Sequence, residues 1–244
     1  MLRATFEVES RVEATHWWFV ARRELFAREI ARAGIPLSAR VLDIGTSTGT
    51  NLRMLKDLGF RDVTGLDATE EAIRFCAEKG LGTVRQGDVC RMPFADGSFD
   101  LVLATDIIEH VDDDLQALKE IARVLAPSGQ ALITVPAFSS LWGLQDDVAM
   151  HKRRYRLGEL VARVTSAGLR PGCSYYFNYI LFAPIWLARQ LIRLLRIRLN
   201  SENELNSPLI NRVLLWIFRL DVATARRVSP SFGVSALVVA ERPR

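Results

Sequence analysis

Apolar residues in this 244-residue chain fall into short runs that end at polar or glycine positions. Between the runs they recur every three or four residues. The runs occupy 41–44, 63–67, 83–87, 99–104 and 131–135, the last stopped by Pro136. Short runs of this kind, rich in Val, Ile and Leu, read as buried strands. Helical spacing follows from Asn51 and recurs at 70–79 (Ala72, Ile73, Cys76), 112–125 (Leu115, Leu118, Ile121, Leu125) and 158–168. Strands alternating with helices predict a parallel, doubly wound α/β sheet. Two further candidate strands, 173–177 and 233–240, bring the count to seven.

The stretch VLDIGTSTGT at 41–50 joins a strand, a turn holding Gly45 and Gly49, and the start of a helix. That order presents backbone N–H groups and a helix N-terminus to a ligand. Asp67 closes the second strand about 20 residues past the turn, where nucleotide-binding sheets place an acid for the ribose hydroxyls. Asp43, Asp67, Asp88 and Thr105 all fall at the carboxyl ends of strands, the edge where such sheets bind ligands. A nicotinamide dehydrogenase needs glycine two residues after the first of its turn. Ser47 stands there, and Gly45-x3-Gly49 does not fit that fingerprint.

Five pieces together resemble the class I S-adenosylmethionine-dependent methyltransferases: VLDIGTSTGT (41–50), GLD (65–67), QGDVCRMPFADGSFDLV (86–102), TDIIEHV (105–111) and RVLAPSGQALITVP (123–136). The resemblance covers roughly residues 38–140. It implies a Rossmann-like methyltransferase fold: a doubly wound, seven-stranded, mostly parallel sheet, here with a helical insertion between the last two strands. It also implies S-adenosylmethionine as cofactor. By position, Gly45 and Gly49 let the loop approach the methionine part, and Asp43 holds the amino group, directly or through water. Asp67 takes the ribose hydroxyls, Asp88 accepts from the adenine amino group, and Val89 supplies the adjacent backbone N–H. Ser47 and Thr105 complete the cofactor edge. The family usually has glycine at the position of Ser47, so its Cβ is expected to crowd the loop, lowering cofactor affinity or setting the loop further out.

In the resembled family a short hairpin joins the last two strands; here residues 178–232 intervene. Arg189, Arg193 and Arg196 share a helical face in a leucine-rich segment, from which Arg198 departs. A second helix is expected from Ser207-Pro208, an N-cap followed by proline at the first helical position. Its Arg212, Arg219 and Arg226 recur every seven residues as a polar stripe. Neither segment offers the ~20 apolar residues of a membrane span. Two readings stand: an interfacial pair with arginines at lipid headgroups, or helices that pack on each other or on a second copy.

Charge changes the picture. The net charge is +4, yet residues 151–244 hold 16 Lys+Arg against 5 Asp+Glu, and residues 1–150 hold 16 against 23. The basic C-terminal third calls for anionic partners. Its arginines are embedded in leucine-rich helices rather than among stacking aromatics, and no RNA-binding module is recognised, which argues against nucleic acid. The Asn/Asp-Pro-Pro-aromatic signature of N-methylating relatives is replaced by Thr105-Asp106-Ile107-Ile108.

Methyl transfer from a sulfonium asks for positioning, and for a base only when the nucleophile arrives protonated. His110, after the fourth strand, is either a packing residue or that base. His151 lies in Trp142-x3-Asp146-Asp147-x3-His151-Lys152-Arg153-Arg154-Tyr155, beyond the fifth strand on the expected substrate side. His151 is the candidate base, Arg153 and Arg154 candidate anion clamps, and Trp142 and Tyr155 candidate substrate contacts. The aromatic cluster His16-Trp17-Trp18-Phe19 either meets the substrate or anchors an N-terminal helix.

Cys76, Cys90 and Cys173 are scattered, with no Cys-x-x-Cys, so neither a disulfide framework nor a metal site is expected, and a reducing cytosol is. The N-terminal stretch lacks the apolar core of a signal peptide. The expected division is a helical cap (1–36), the cofactor-binding core (37–177), the basic insertion (178–232), and a last strand with tail (233–244). Three readings follow: an O-methyltransferase of a small or lipid-linked, apolar or anionic acceptor, working as a peripheral protein at the inner membrane surface; an RNA methyltransferase; or a non-catalytic cofactor-binding scaffold.

Overall fold

Among the described residues, seven strands, β1 (Arg40–Ile44), β2 (Asp62–Asp67), β3 (Thr83–Gln86), β4 (Phe99–Thr105), β5 (Leu125–Pro136), β6 (Arg170–Phe177) and β7 (Ser235–Glu241), form one sheet. A computed structural model describes residues 10–195 and 207–244. The strand order is β3-β2-β1-β4-β5-β7-β6. Pairings from β3 to β5 are parallel, and β7 runs antiparallel to both its neighbours. This is the expected doubly wound, mostly parallel sheet. The order reverses between β1 and β4, and at that switch point α/β sheets open a crevice for ligands.

Among the described residues, eight α-helices accompany the sheet: α1 (Trp17–Arg32), α2 (Thr50–Asp57), α3 (Glu70–Glu78), α4 (Asp114–Val124), α5 (Leu144–Val148), α6 (Leu157–Ser166), α7 (Phe182–Leu194) and α8 (Pro208–Val228). On one face, α4 and α6 bury Leu118, Ile121, Leu160 and Val164 against Val102, Ile133 and Val238. On the other, α1, α2 and α8 bury Leu25, Phe26, Leu55, Phe218 and Val222 against Val41, Leu103 and Leu237. Burial on both faces is why these strands read as continuous apolar runs.

The insertion holds α7 and α8. The predicted cap of α8 is present: the Ser207 side chain accepts from the Ile210 N–H, and Pro208 opens the helix. Asp221, fully buried, accepts the N–H groups of Asn178 (2.7 Å) and Ile180 (2.9 Å), which fixes the chain as it leaves β6. The inner face of α8 is part of the core, since Phe218 stacks on Trp18 at 5.5 Å and lies parallel to Phe177.

The arginine stripes differ from a headgroup-facing arrangement. Arg219 pairs with Glu24 of α1 at 2.6 Å, and Arg226 pairs with the buried Glu29. Arg189 turns inward to the Leu141 carbonyl and Asp146, and Arg193 donates to the Trp142 carbonyl at 2.6 Å. Most of these guanidiniums therefore knit the insertion to the rest of the fold; Arg196 and Arg198 lie outside the described residues. Large apolar residues are exposed on both helices beside the arginines. Leu194 (77 % exposed), Leu209 (71 %) and Trp216 (68 %) lead a set that includes Leu187, Leu191 and Val213. No described helix is long and apolar enough to cross a membrane.

Candidate functional site

The loop between β1 and α2 takes three left-handed residues at alternate positions: Gly45 (φ 73°), Ser47 (φ 47°) and Gly49 (φ 84°). A Cβ on Gly45 would meet Ile107 Cδ1 at 2.5 Å, and one on Gly49 would strike Leu81 and Cys76. Glycine is required at both for conformation and for space. Ser47 occupies the same left-handed region with a side chain, which costs roughly 1–2 kcal/mol. The penalty of serine here lies in the backbone. The loop is held by Asp67, whose carboxylate accepts the Ser47 N–H at 3.0 Å and the Thr69 N–H and hydroxyl at 3.0 and 2.8 Å.

Asp43, at the end of β1, is completely buried. Its Oδ1 accepts from Asn51 Nδ2 at 3.1 Å; its Oδ2 has no hydrogen-bond partner, and neither has the buried Thr46 Oγ1 of the following loop. Burial pushes the Asp43 carboxyl up to about 7, against the pull of the Asn51 hydrogen bond. Asn51 also donates to Thr105 at 2.9 Å, so one amide links the ends of β1 and β4. The sequence reading placed Asn51 only as the start of a helix. Its signal was a side-chain amide one turn past the glycine loop. Asp88 is exposed and accepts the Cys90 N–H at 2.8 Å, while Val89 is buried beneath it.

A cavity of about 440 Å³ opens beyond the end of β4. The N-terminal aromatics His16, Trp17, Trp18 and Phe19 form one side, and Ile185, Ala188 and Ile192 of α7 with Leu214 of α8 form another. Thr105, Asp106, His110 and His151 are its polar wall. The aromatic cluster thus both lines the cavity and packs on α8. Arg22 fastens α1 over this end of the sheet, pairing with Asp106 at 2.8 Å and lying 5.1 Å from the Trp18 ring centroid. Glu13 binds Lys79 at 2.7 Å and the Thr48 hydroxyl, so the chain before α1 is tied to the glycine loop.

The 142–155 segment distributes its candidates differently from the sequence expectation. His151 Nδ1 meets Asp146 at 2.8 Å, and its ring stands edge-on to His110 at 4.7 Å. Arg154 also faces the cavity, but is committed to a two-pronged pair with buried Asp146 (2.7 and 3.0 Å) and to the Ala137 carbonyl. Burial alone would raise Asp146; the hydrogen bonds from His151 and Arg154 outweigh it and hold the carboxyl well below the usual range. Arg153 points to the Val111 and Asp112 carbonyls and to Asp114, away from the cavity. Tyr155 is buried and donates to Asp114 at 2.7 Å. Trp142 donates to Asp147 at 2.8 Å. The H-x-R-R-Y stretch therefore brings His151 to the cavity and uses its neighbours to hold the loop. Asp146 is the organising residue that the sequence reading passed over, because its partners meet it only across a folded loop.

Residues 42–133 match the family described as Methyltransferase domain. That segment is similar to class I S-adenosylmethionine-dependent methyltransferases. Among similar proteins, this chain is 34% identical over 139 residues to the ubiquinone/menaquinone biosynthesis C-methyltransferase UbiE of Bdellovibrio bacteriovorus, covering 52% of this chain and 56% of that one. It is 31% identical over 144 residues to the malonyl-[acyl-carrier protein] O-methyltransferase of Pseudescherichia vulneris, 57% of each chain. The chain spans about half the length of the curated relatives it matches. The fold is shared with the YcgJ protein of Bacillus subtilis, at a TM-score of 0.59 and 19% identity, over 91% of this chain and 98% of that one.

Proposed function

We propose that this methyltransferase moves the sulfonium methyl group of S-adenosylmethionine to an oxygen of a small or lipid-linked acceptor taken up at a membrane surface. The observation that carries the reading is the cavity: it begins at the cofactor edge, at Thr105 and Asp106, and is walled by the same two insertion helices that expose Leu191, Leu194, Leu209, Val213 and Trp216. A contiguous apolar surface rimmed by charge marks an interaction site. The exposed Leu194, Leu209 and Trp216 supply the contact with a lipid surface, and the net basic charge of residues 151–244 adds only a weaker attraction to anionic headgroups.

The residues at the glycine loop fit the cofactor. The unpartnered Asp43 Oδ2 suits an ammonium group, Asp67 is placed for ribose hydroxyls, and Asp88 with the Val89 N–H for adenine. When bound, the cofactor supplies an electrophilic methyl group. The chain's own part is to hold α1 over the site through Arg22 and Glu13, to keep water out with Trp17, Trp18 and Phe19, and to line up the acceptor for in-line attack. His151, oriented by Asp146, stands where an acceptor hydroxyl would lose its proton. In this reading residues 1–36 act as the cap, 37–177 as the core, 178–232 as the membrane-facing insertion, and 233–244 as its return. The kinship with a quinone C-methyltransferase and an acyl-carrier-protein O-methyltransferase supports an apolar acceptor carried on a larger group.

The test is transfer of a radiolabelled methyl group into a cell extract, followed by separation of lipid, small-molecule, RNA and protein fractions. Label in lipid or small molecules is expected; label confined to RNA would overturn the acceptor class.

A further inference from the structure

We infer that Glu109, His110 and His151 form a binding site for one divalent transition-metal ion in the wall of the acceptor cavity. One ligand atom from each lies within 4.8 Å of the others. Ligands about 2.1 Å from a tetrahedral ion stand about 3.4 Å apart, so side-chain rotations of roughly 1 Å close the set.

The second observation is the state of Glu109. It is completely buried, yet neither carboxylate oxygen accepts a hydrogen bond from another residue. A buried carboxylate left this way is costly and calls for a cation. The positive side chains nearby have other carboxylates: Arg22 pairs with Asp106 and Arg154 with Asp146. What Glu109 faces instead is the Nε2 edge of His151, at 3.9 Å.

The His151 ring is arranged as a ligand. Asp146 takes Nδ1 at 2.8 Å, which leaves Nε2 with its lone pair toward Glu109. A carboxylate behind a histidine in this way fixes the ring and raises its basicity toward a metal. Arg154 anchors that carboxylate in turn, through two hydrogen bonds. The backbone also ties the two segments: the Lys152 N–H donates to the Glu109 carbonyl at 2.9 Å, and the His151 N–H to the Asp146 carbonyl at 2.9 Å. The three ligands thus sit on two segments braced against each other, Glu109 and His110 in the 3-10 turn Ile108–His110 and His151 in the loop beside it.

Two imidazoles and a carboxylate suit Zn²⁺, Co²⁺, Mn²⁺ or Fe²⁺ rather than Mg²⁺ or Ca²⁺. Three protein ligands leave a coordination position open. His110 and His151 line the cavity, so that position faces the acceptor. An acceptor oxygen bound there would be polarised by the ion, and His151 would serve as a ligand in place of the proton-accepting role given above. The site rests on these three side chains, independently of which acceptor is methylated.

The experiment uses the full chain, stripped with chelator and titrated with Zn²⁺ by calorimetry, with visible absorption of bound Co²⁺ as a second probe. Adenosylhomocysteine binding, measured separately, reports that the domain is folded and that the cofactor reading holds. One Zn²⁺ per chain is expected, weakened at least about tenfold by Glu109→Gln and by His110→Ala in protein that still binds adenosylhomocysteine. A stripped chain that binds adenosylhomocysteine but no Zn²⁺ overturns the site. So does Zn²⁺ binding that both substitutions leave unchanged.

Discussion

Asp43 carries two opposing demands. Burial without a full set of donors favours its neutral form and lifts the carboxyl to about 7, while a bound ammonium group favours the anion. Because the folded value lies above the ordinary 3.8, the native state holds the proton more tightly than the unfolded chain. The resulting loss of stability is absent below about pH 4, grows as pH rises, and is complete above about pH 7. Cofactor binding should therefore expel a proton near neutrality. Adenosylmethionine affinity is expected to rise between about pH 6 and pH 8, and calorimetry in two buffers of different ionisation enthalpy will register the released proton. Asp43→Asn should remove both effects. Asp67→Ala should weaken the cofactor by about 1–3 kcal/mol; unchanged affinity would move the ribose site elsewhere. Ser47→Gly tests the departure from the family's usual glycine: relief of the left-handed strain should tighten cofactor binding in the same assay.

At the scale of elements, α1 and α8 hold each other by contacts of unequal worth. Arg226→Met strips a partner from Glu29, a carboxylate only 1 % exposed, and should cost several times more in urea unfolding than Arg219→Met. The Arg219–Glu24 pair is half-exposed, and such pairs contribute at most about 1 kcal/mol. Asp221→Ala would leave the buried Asn178 N–H and the part-buried Ile180 N–H without their acceptor, and should destabilise by about 1–3 kcal/mol. The sheet was legible because each strand is an unbroken apolar run between two covering layers. The start of β5 was not: Ser128-Gly129 reads as a turn, yet the strand runs through it with a shift in pairing between Phe99 and Leu101. β6 likewise begins at Arg170, three residues early, by accommodating Pro171 at a similar irregularity. The glycine loop and its acids were legible because they are close in sequence. Asn51, Glu109 and Asp146 were not, because their meaning depends on partners brought in by folding: Thr105 for the first, His151 for the other two.

Over the whole molecule, the basic excess of the C-terminal third is spent largely on internal links, and large apolar residues are exposed beside it. Binding to anionic vesicles should therefore depend on Leu194, Leu209 and Trp216 more than on salt. Leu209→Glu with Trp216→Glu is expected to abolish co-sedimentation while preserving adenosylhomocysteine binding; retained sedimentation would end the membrane reading, and dimerisation of the native chain lost in the variant would assign the face to a second copy. Deleting the insertion is a poorer test, because Phe218, Val222 and Ala225 belong to the core under α1. That shared core also bears on recombination. The first helix and α8 are far apart in the chain but interlock through Trp18 on Phe218, Arg219 on Glu24 and Arg226 on Glu29. Anyone grafting the acceptor preference of this protein onto another scaffold must transplant both pieces together, and lineages that exchanged one without the other would have had to rebuild the seam.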